Sequence, residues 1–570
     1  MRKEFAVIIR TSVAALCAVS LAFSMLGCGR PPAKSAELER LAGEYMEALP
    51  GFYPTWASSL GWHEYDGQLG SRNPEAIEAW VTQVKELLGR AEGLEGTLED
   101  PDDRFDRDIL EWLLRRELLS VEVLRRFERD PLTYSFDLSR LLLRTVPSWP
   151  ERAYAIVSRL EQLPTYLSEA RTNLENPPRP VTETGIRTFR NLAPFLRDDL
   201  PQAMQDLDPD LSARLDRALP EAVHAAEEMA RWLEQEVLPD TKDDFALGEE
   251  TYLEMLLVQE QFDYSIEQLT AMGREELSRL QAQFQETAAL IDPDKSPQEV
   301  ARLIASEHPR REDLVGFAQS ELEELKRRVI ANDLVTIPEG GGAIVEAAPA
   351  FNRWNPAYIM PPGPFDPDSL QAIYFISPGE VDLTPDQVEA WLRGMNNYTV
   401  RNTSVHEVYP GHYVNSLHIR HAATPIRKLS WSYAFGEGWA HYSEELFMDH
   451  AYEEPVPAHR LAQIQDALLR ACRYMTSIGL HTQGWSVEDG TQFFMENAYV
   501  EEVLARQQSV RGTFDPGYLL YTLGKLYIKQ MREDYRKKVG DQFTLKAFHD
   551  ALLQYGSPPL PMVRARLLGD

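Results

Sequence analysis

Between about residue 35 and residue 331 the apolar residues return at steps of three and four: Leu38, Leu41 and Tyr45; Ile77, Trp80, Val84 and Leu87; Leu277, Leu280 and Phe284. That period follows one face of an α-helix rather than the two-residue alternation of a strand. A chain patterned this way buries its stripes by laying helix against helix. The stretches are cut at Asn176-Pro177-Pro178, Asp208-Pro209-Asp210 and Asp292-Pro293-Asp294, all turn formers. From Leu334 to Val381 the texture changes to short β-branched and aromatic runs among prolines, Ala343-Ile344-Val345-Glu346 and Ala372-Ile373-Tyr374-Phe375-Ile376, which predict a small sheet. Gly340 to Gly342 precede it with no Lys-Ser/Thr behind them, so they are a connection and not a phosphate loop. Helices resume at Thr384-Pro385-Asp386-Gln387, where Thr384 and Gln387 can form a capping box and Pro385 suits the first helical position. The fold class expected is mostly α, a large helical body with a small β-sheet.

Composition narrows the function. With 44% hydrophobic and 26% charged residues the chain has material for a core, and no repeat of 20 to 50 residues announces a solenoid. The net charge of −31 repels phosphate backbones, which excludes nucleic-acid binding. Arg2, Lys3 and Arg10 precede an uncharged, mostly apolar stretch over residues 11–27, the pattern of a secretory signal. The stretch is shorter than the ~20 residues that span a bilayer. Leu26-Gly27-Cys28-Gly29 followed by Pro31-Pro32 resembles a bacterial lipobox, with Cys28 as the lipidated residue and a lipid as the only membrane contact. Of three cysteines this leaves Cys472 alone in the mature chain, so neither a disulfide framework nor a cysteine zinc site is available. The organisation expected is a signal at 1–27, a tether at 28–36, an N-terminal helical region at 37–240 and a catalytic region at 241–570, with the sheet at 334–381 and the motif helices at 403–450.

Seven of the 12 histidines, His406, His412, His418, His421, His441, His450 and His459, crowd into residues 406–459. Among them lie His406-Glu407-Val408-Tyr409-Pro410-Gly411-His412 and, further on, Glu437-Gly438-Trp439-Ala440-His441-Tyr442-Ser443-Glu444. In the H-E-x-x-H zinc motif two histidines four apart share a helical face, with the glutamate as general base. Here the second histidine comes two residues late, and at ~100° per residue an unbroken helix would turn it away. The insertion carries its own breaker, since Pro410 has no N–H to offer and Gly411 takes backbone angles closed to other residues. A distorted turn would swing His412 back beside His406. Glu437 is the third ligand by this reading, with His441 or Glu444 on the same helical face to orient a ligand from behind. His418, His421, His450 and His459 read as ordinary polar-face residues.

These residues carry a resemblance. The two motifs, together with Pro54-Thr55-Trp56-Ala57-Ser58-Ser59-Leu60-Gly61, Leu247-Gly248-Glu249-Glu250-Thr251-Tyr252, Gly479-Leu480-His481, Arg511 and Pro516-Gly517 with Tyr521 and Gly524, resemble the bacterial family called domain of unknown function 885, regarded as relatives of the gluzincin metallopeptidases. The likeness spans about residues 37 to 565. It implies an internal cleft in a gluzincin-like catalytic region, Zn2+ held by His406, His412 and Glu437, and Glu407 as base. The chain departs from the family pattern at Asn415, Ser477, Gly512 and Tyr518, where glutamine, aspartate, tyrosine and glutamine are usual.

The expected activity is hydrolysis of peptide amide bonds. The ion lowers a water's pKa to about 7 and polarises the carbonyl, while Glu407 moves the proton to the leaving amine. Tyr521 and His481 are the candidates to stabilise the oxyanion, and Arg511 to bind a substrate carboxylate. Ala372–Ile376 is either an edge strand that adds a peptide in β form or an ordinary core strand. Rival readings are a non-catalytic envelope lipoprotein and a metal-dependent hydrolase of non-peptide amides.

Overall fold

Helices begin where capping chemistry puts them. Ser265 and Gln268 cap each other at the start of a long helix, and Thr384 with Gln387 does the same at Pro385–Gly394, as the sequence predicts. The computed structural model describes residues 35–569 except 350, 351, 354, 381, 382 and 455. The signal segment and Cys28 lie outside the described residues. Among the described residues no helix is long and apolar enough to cross a membrane.

Helix dominates, at 72% of the described residues. In the N-terminal half α1 (Trp149–Asn173) and α2 (Arg179–Pro194) both pack on α3 (Pro209–Trp232). The second half begins with α4 (Glu249–Glu260) and α5 (Ile266–Ile291). After the sheet come α6 (Asn397–Glu407), α7 (His412–Arg420), α8 (Tyr433–His450), α9 (Pro457–Thr482) and α10 (Leu520–Val539). α5 packs along α9, and α8 along α10. One hydrophobic cluster runs from Leu38 to Val563, so the core does not divide near residue 240. Cys472 is buried in it, and burial pushes its thiol pKa up, which leaves an inert packing residue.

The sheet has three strands, β1 (Ala343–Ala347), β2 (Ala357–Met360) and β3 (Ala372–Ile376), in the order β1-β3-β2. β1 runs parallel to β3 with Ala343 opposite Ala372, and β2 antiparallel with Ala357 opposite Ile376. All five residues of β3 are buried, so this run is the core strand. β1 and β2 are the two edges, and Tyr358 and Ile359 of β2 line a cavity of about 510 Å³.

Candidate functional site

The chain leaves α6 after Glu407, with Val408 outside helical angles. Tyr409 and Pro410 are joined by a cis peptide. The Gly411 N–H then reaches back to the Val405 carbonyl at 3.0 Å, and α7 opens at His412. A Cβ on residue 411 would overlap the His406 carbonyl oxygen, so only glycine fits this return. The Trp439 indole N–H bonds the Pro410 carbonyl at 2.9 Å, tying the turn of the first motif to the helix of the second. The imidazoles of His406 and His412 end with centroids 4.7 Å apart and planes at 86°.

α8 brings the third member. Its first N–H groups, on Tyr433 and Ala434, are taken by the carboxylate of Glu260 from α4 at 2.9 and 3.3 Å. Burial nevertheless pushes Glu260 up to about 7. Gly438 crosses α10 so closely that a Cβ there would lie 2.6 Å from the Gly524 Cα. This crossing sets Glu437 and Tyr521 on the same cavity. Glu437 Oε2 lies 3.5 Å from His406 Nε2 and 3.3 Å from His412 Nε2. Ligand atoms of all three residues fall within 4.8 Å of one another.

Those separations test the fit of an ion. Two ligands each ~2.0–2.1 Å from one zinc at a tetrahedral angle stand about 3.4 Å apart. The Glu437 Oε2 spacings match that figure, and this buried oxygen has no hydrogen-bond partner among the described residues. Burial would raise the Glu437 pKa, but His412 and His406 hold it well below the carboxylate range. For His406 burial works downward and is outweighed by Glu437 and Glu444, which lift it to about 9. The cluster therefore favours positive charge, and the donor set, two nitrogens and one carboxylate, suits zinc.

Glu444 supports the cluster from behind. It is fully buried and takes His406 Nδ1 at 2.7 Å, with Arg470 at 3.1 Å and Asn402 at 3.3 Å on its oxygens. With Nδ1 held by Glu444, Nε2 is the nitrogen left facing Glu437. His441 is the lesser partner, at 3.4 Å from Glu444. Glu407 sits beside the triad, where its Oε2 accepts the Ile359 N–H of β2 at 3.2 Å. All four, with Tyr521, line one cavity of about 510 Å³. The N-terminal half supplies part of its wall through Trp56, Leu60 and Arg140. Burial and the nearby Glu437 raise the Tyr521 phenol, so it stays protonated as a hydrogen-bond donor.

The structure does not bring His481 or Arg511 to that cavity. His481 is buried with Nε2 on the Gly512 carbonyl at 2.8 Å and its ring stacked on Tyr252, which makes it a packing residue and not an oxyanion donor. Arg511 is committed to Asp515, 2.8 Å away and four residues on, and reaches the Tyr433 hydroxyl at 3.2 Å, so it braces the aromatic wall instead of waiting for a carboxylate. The i, i+4 pair with Asp515 is visible in the sequence and is the signal that could have shown this. His418 and His421 bond the Thr336 and Glu339 carbonyls, away from the triad. Gly512 and Tyr518 depart together for a steric reason, since a Cβ on residue 512 would overlap the Tyr518 hydroxyl. Sequence reading missed Arg470, Asn402 and Ile359, whose roles come from distant elements.

Residues 54–567 match the family described as bacterial protein of unknown function (DUF885), and the chain belongs to that family. Two solved structures share the fold. One, described as a candidate lipoprotein of unknown function from Shewanella oneidensis, is 22% identical with a TM-score of 0.78, covering 94% of this chain and 100% of its own. The other, a candidate lipoprotein from Colwellia psychrerythraea, is 17% identical with a TM-score of 0.77, covering 94% and 99%. No curated protein matches the sequence.

Proposed function

We propose that this protein is a zinc-dependent hydrolase of peptide amide bonds. The observation that carries the reading is the convergence of His406, His412 and Glu437 on one point of a cavity that also holds Glu407. A zinc ion held by these three would supply Lewis acidity, bringing a water's pKa to about 7 and polarising a carbonyl. Glu407 then takes the proton of the attacking water and hands it to the leaving amine, its carboxylate aimed by the Ile359 N–H. Tyr521 donates to the oxygen on which negative charge develops. Glu444 holds the His406 ring in the orientation that faces Glu437.

Peptides suit the site better than small amides because β2 is a free edge. Alternate residues of an antiparallel strand turn their backbone groups toward the partner and away from it. Ile359 sends its N–H to Glu407 rather than to β3, so its carbonyl also faces outward, beside the catalytic carboxylate. An extended chain can pair there in β form. We place the protein at the bacterial envelope, anchored by lipid at Cys28, and the lipoprotein description of the two structural relatives agrees with that placement.

Metal analysis should find about one zinc per chain. A peptide-library digest with and without chelator, read by mass spectrometry, should show cleavage that chelation stops. Glu407→Gln should keep the metal and lose roughly 10²- to 10⁴-fold in rate. Full cleavage by that variant, or by the metal-free chain, would remove the reading.

A further inference from the structure

The chain is strongly acidic, yet the wall of the cavity beside Glu407 and Glu437 carries Arg140, Arg420 and Lys428. Arg420 is spoken for by the Gly363 and Asp366 carbonyls and Asp368. The other two are not. The one polar contact of the Arg140 guanidinium among the described residues is a long one, 3.4 Å, to the Pro361 carbonyl. The nearby carboxylates Asp137 and Asp366 act on it from beyond ion-pair distance, Asp137 accepting the Ser139 N–H and Asp366 held by His63. Its neighbour Arg144 is a like charge, already paired with Asp66. Lys428 lies over the Phe365 ring at 5.9 Å, with no carboxylate at ion-pair distance among the described residues. A partly buried cation without a counter-ion is costly, and an anion that enters with a ligand removes that cost.

The place of Arg140 says which ligand. It lines the cavity of the triad and also a second of about 570 Å³, and the two share Tyr358 and Ile359 of β2. A peptide lying along the β2 edge past Glu407 runs by Arg140. The anionic groups such a chain offers are carboxylates, which match the planar fork of a guanidinium.

We infer that Arg140, assisted by Lys428, is a subsite for a substrate carboxylate, making this a site for carboxylate-bearing peptides. The assignment rests on the peptide reading of the cleft above. The carboxylate is either the free C-terminus or an acidic side chain, and the test separates the two.

The probes are tetra-alanine with a free C-terminus, tetra-alanine amide and Ala-Ala-Glu-Ala amide. Each is titrated calorimetrically into the zinc-loaded full chain carrying Glu407→Gln, so that binding is read without turnover. One of the two carboxylate probes should bind about 10- to 100-fold tighter than tetra-alanine amide. Adding Arg140→Gln should erase that difference and leave the affinity for tetra-alanine amide in place. Preference for the free acid assigns the C-terminus, and preference for the glutamate peptide assigns the side chain. Equal affinity for all three probes, no binding of any, or discrimination that survives Arg140→Gln overturns the assignment. Should Arg140→Gln fail to fold, Arg140→Lys keeps the charge without the fork and should lose part of the preference, and an undiminished preference there overturns it too. Cleavage of the same probes by the Glu407 chain is read in parallel. Carboxylate-selective binding without cleavage would sink the hydrolase and leave the subsite, whereas equal cleavage of all three probes would sink the subsite and leave the hydrolase.

Discussion

Two buried charged clusters lie along α8, and they are built in opposite ways. Toward its C-terminus Glu445 meets Lys529 at 2.7 Å, Arg279 at 3.3 Å and Lys525 at 3.4 Å, while the fully buried Lys525 also holds Glu276 at 2.6 Å. Every charge there has its opposite. Burial acts to raise Glu276, but Lys525 and Arg279 outweigh it and bring that carboxyl down to about 2. Toward the N-terminus of the helix, Glu437 and two imidazoles bring ligand atoms within 4.8 Å of one another, and the buried Glu437 Oε2 has no hydrogen-bond partner among the described residues. The first cluster satisfies itself and is structural. The second would be completed by the proposed ion, and that difference would separate a site from a brace.

The contrast can be broken by mutation. The largest effect expected is on metal: His412→Ala should take zinc from about one per chain to nearly none, because a catalytic site keeps only three protein ligands. Its thermal melt in chelator should stay close to that of the unmodified chain, and a collapse there would make the triad a brace as well. Lys525→Met should do the reverse, costing about 3 kcal/mol in denaturant titrations by removing the fully buried cation that Glu276 and Glu445 share and that Arg279 and Lys529 only partly replace, with zinc content unchanged. Lost zinc in that variant would show that the two clusters are one. Glu444→Gln sharpens the boundary between them. It should weaken zinc about 10- to 100-fold in competition with a chelator and still load at saturating metal.

The smallest effect belongs to a third, partly exposed cluster. His63 is lifted to about 9 by Asp366 and then by Asp66, and its contact with Asp366 joins the N-terminal half to the loop that walls the cavity. A histidine whose folded pKa lies above its unfolded value of about 6.5 contributes fully below the lower value and loses that contribution as pH rises through the higher. Melts of the unmodified chain and His63→Gln should differ at pH 6 and converge by pH 10. A gap that stays constant across that range would assign the contact to packing.

How far the site could be read before the structure depends on how far apart its parts lie. Pro410 and Gly411 announce the broken turn because their effect is on their own backbone. That His441 or Glu444 stands behind a candidate ligand follows from their spacing to Glu437 along one helix, and only the structure shows that it is Glu444 and that the ligand is His406. The role of His481 did not follow in the same way, since a motif says that a residue is present and not which way its ring faces; on α9 it faces Gly512. Arg470 on Glu444, and the Ile359 N–H on Glu407, 48 residues away, have no local signature at all.

The chain alone determined its helices, their caps, the interrupted helix at Pro410-Gly411 and the three candidate ligands, because propensity, capping and steric exclusion act within a few residues. Only the tertiary structure decided that β2 and not β3 is an open edge, that the N-terminal half walls the cavity, and that Arg140 faces it with no carboxylate at ion-pair distance among the described residues. Those features arise where segments far apart in sequence exclude water from one another, and burial and counter-charge exist only once they have met.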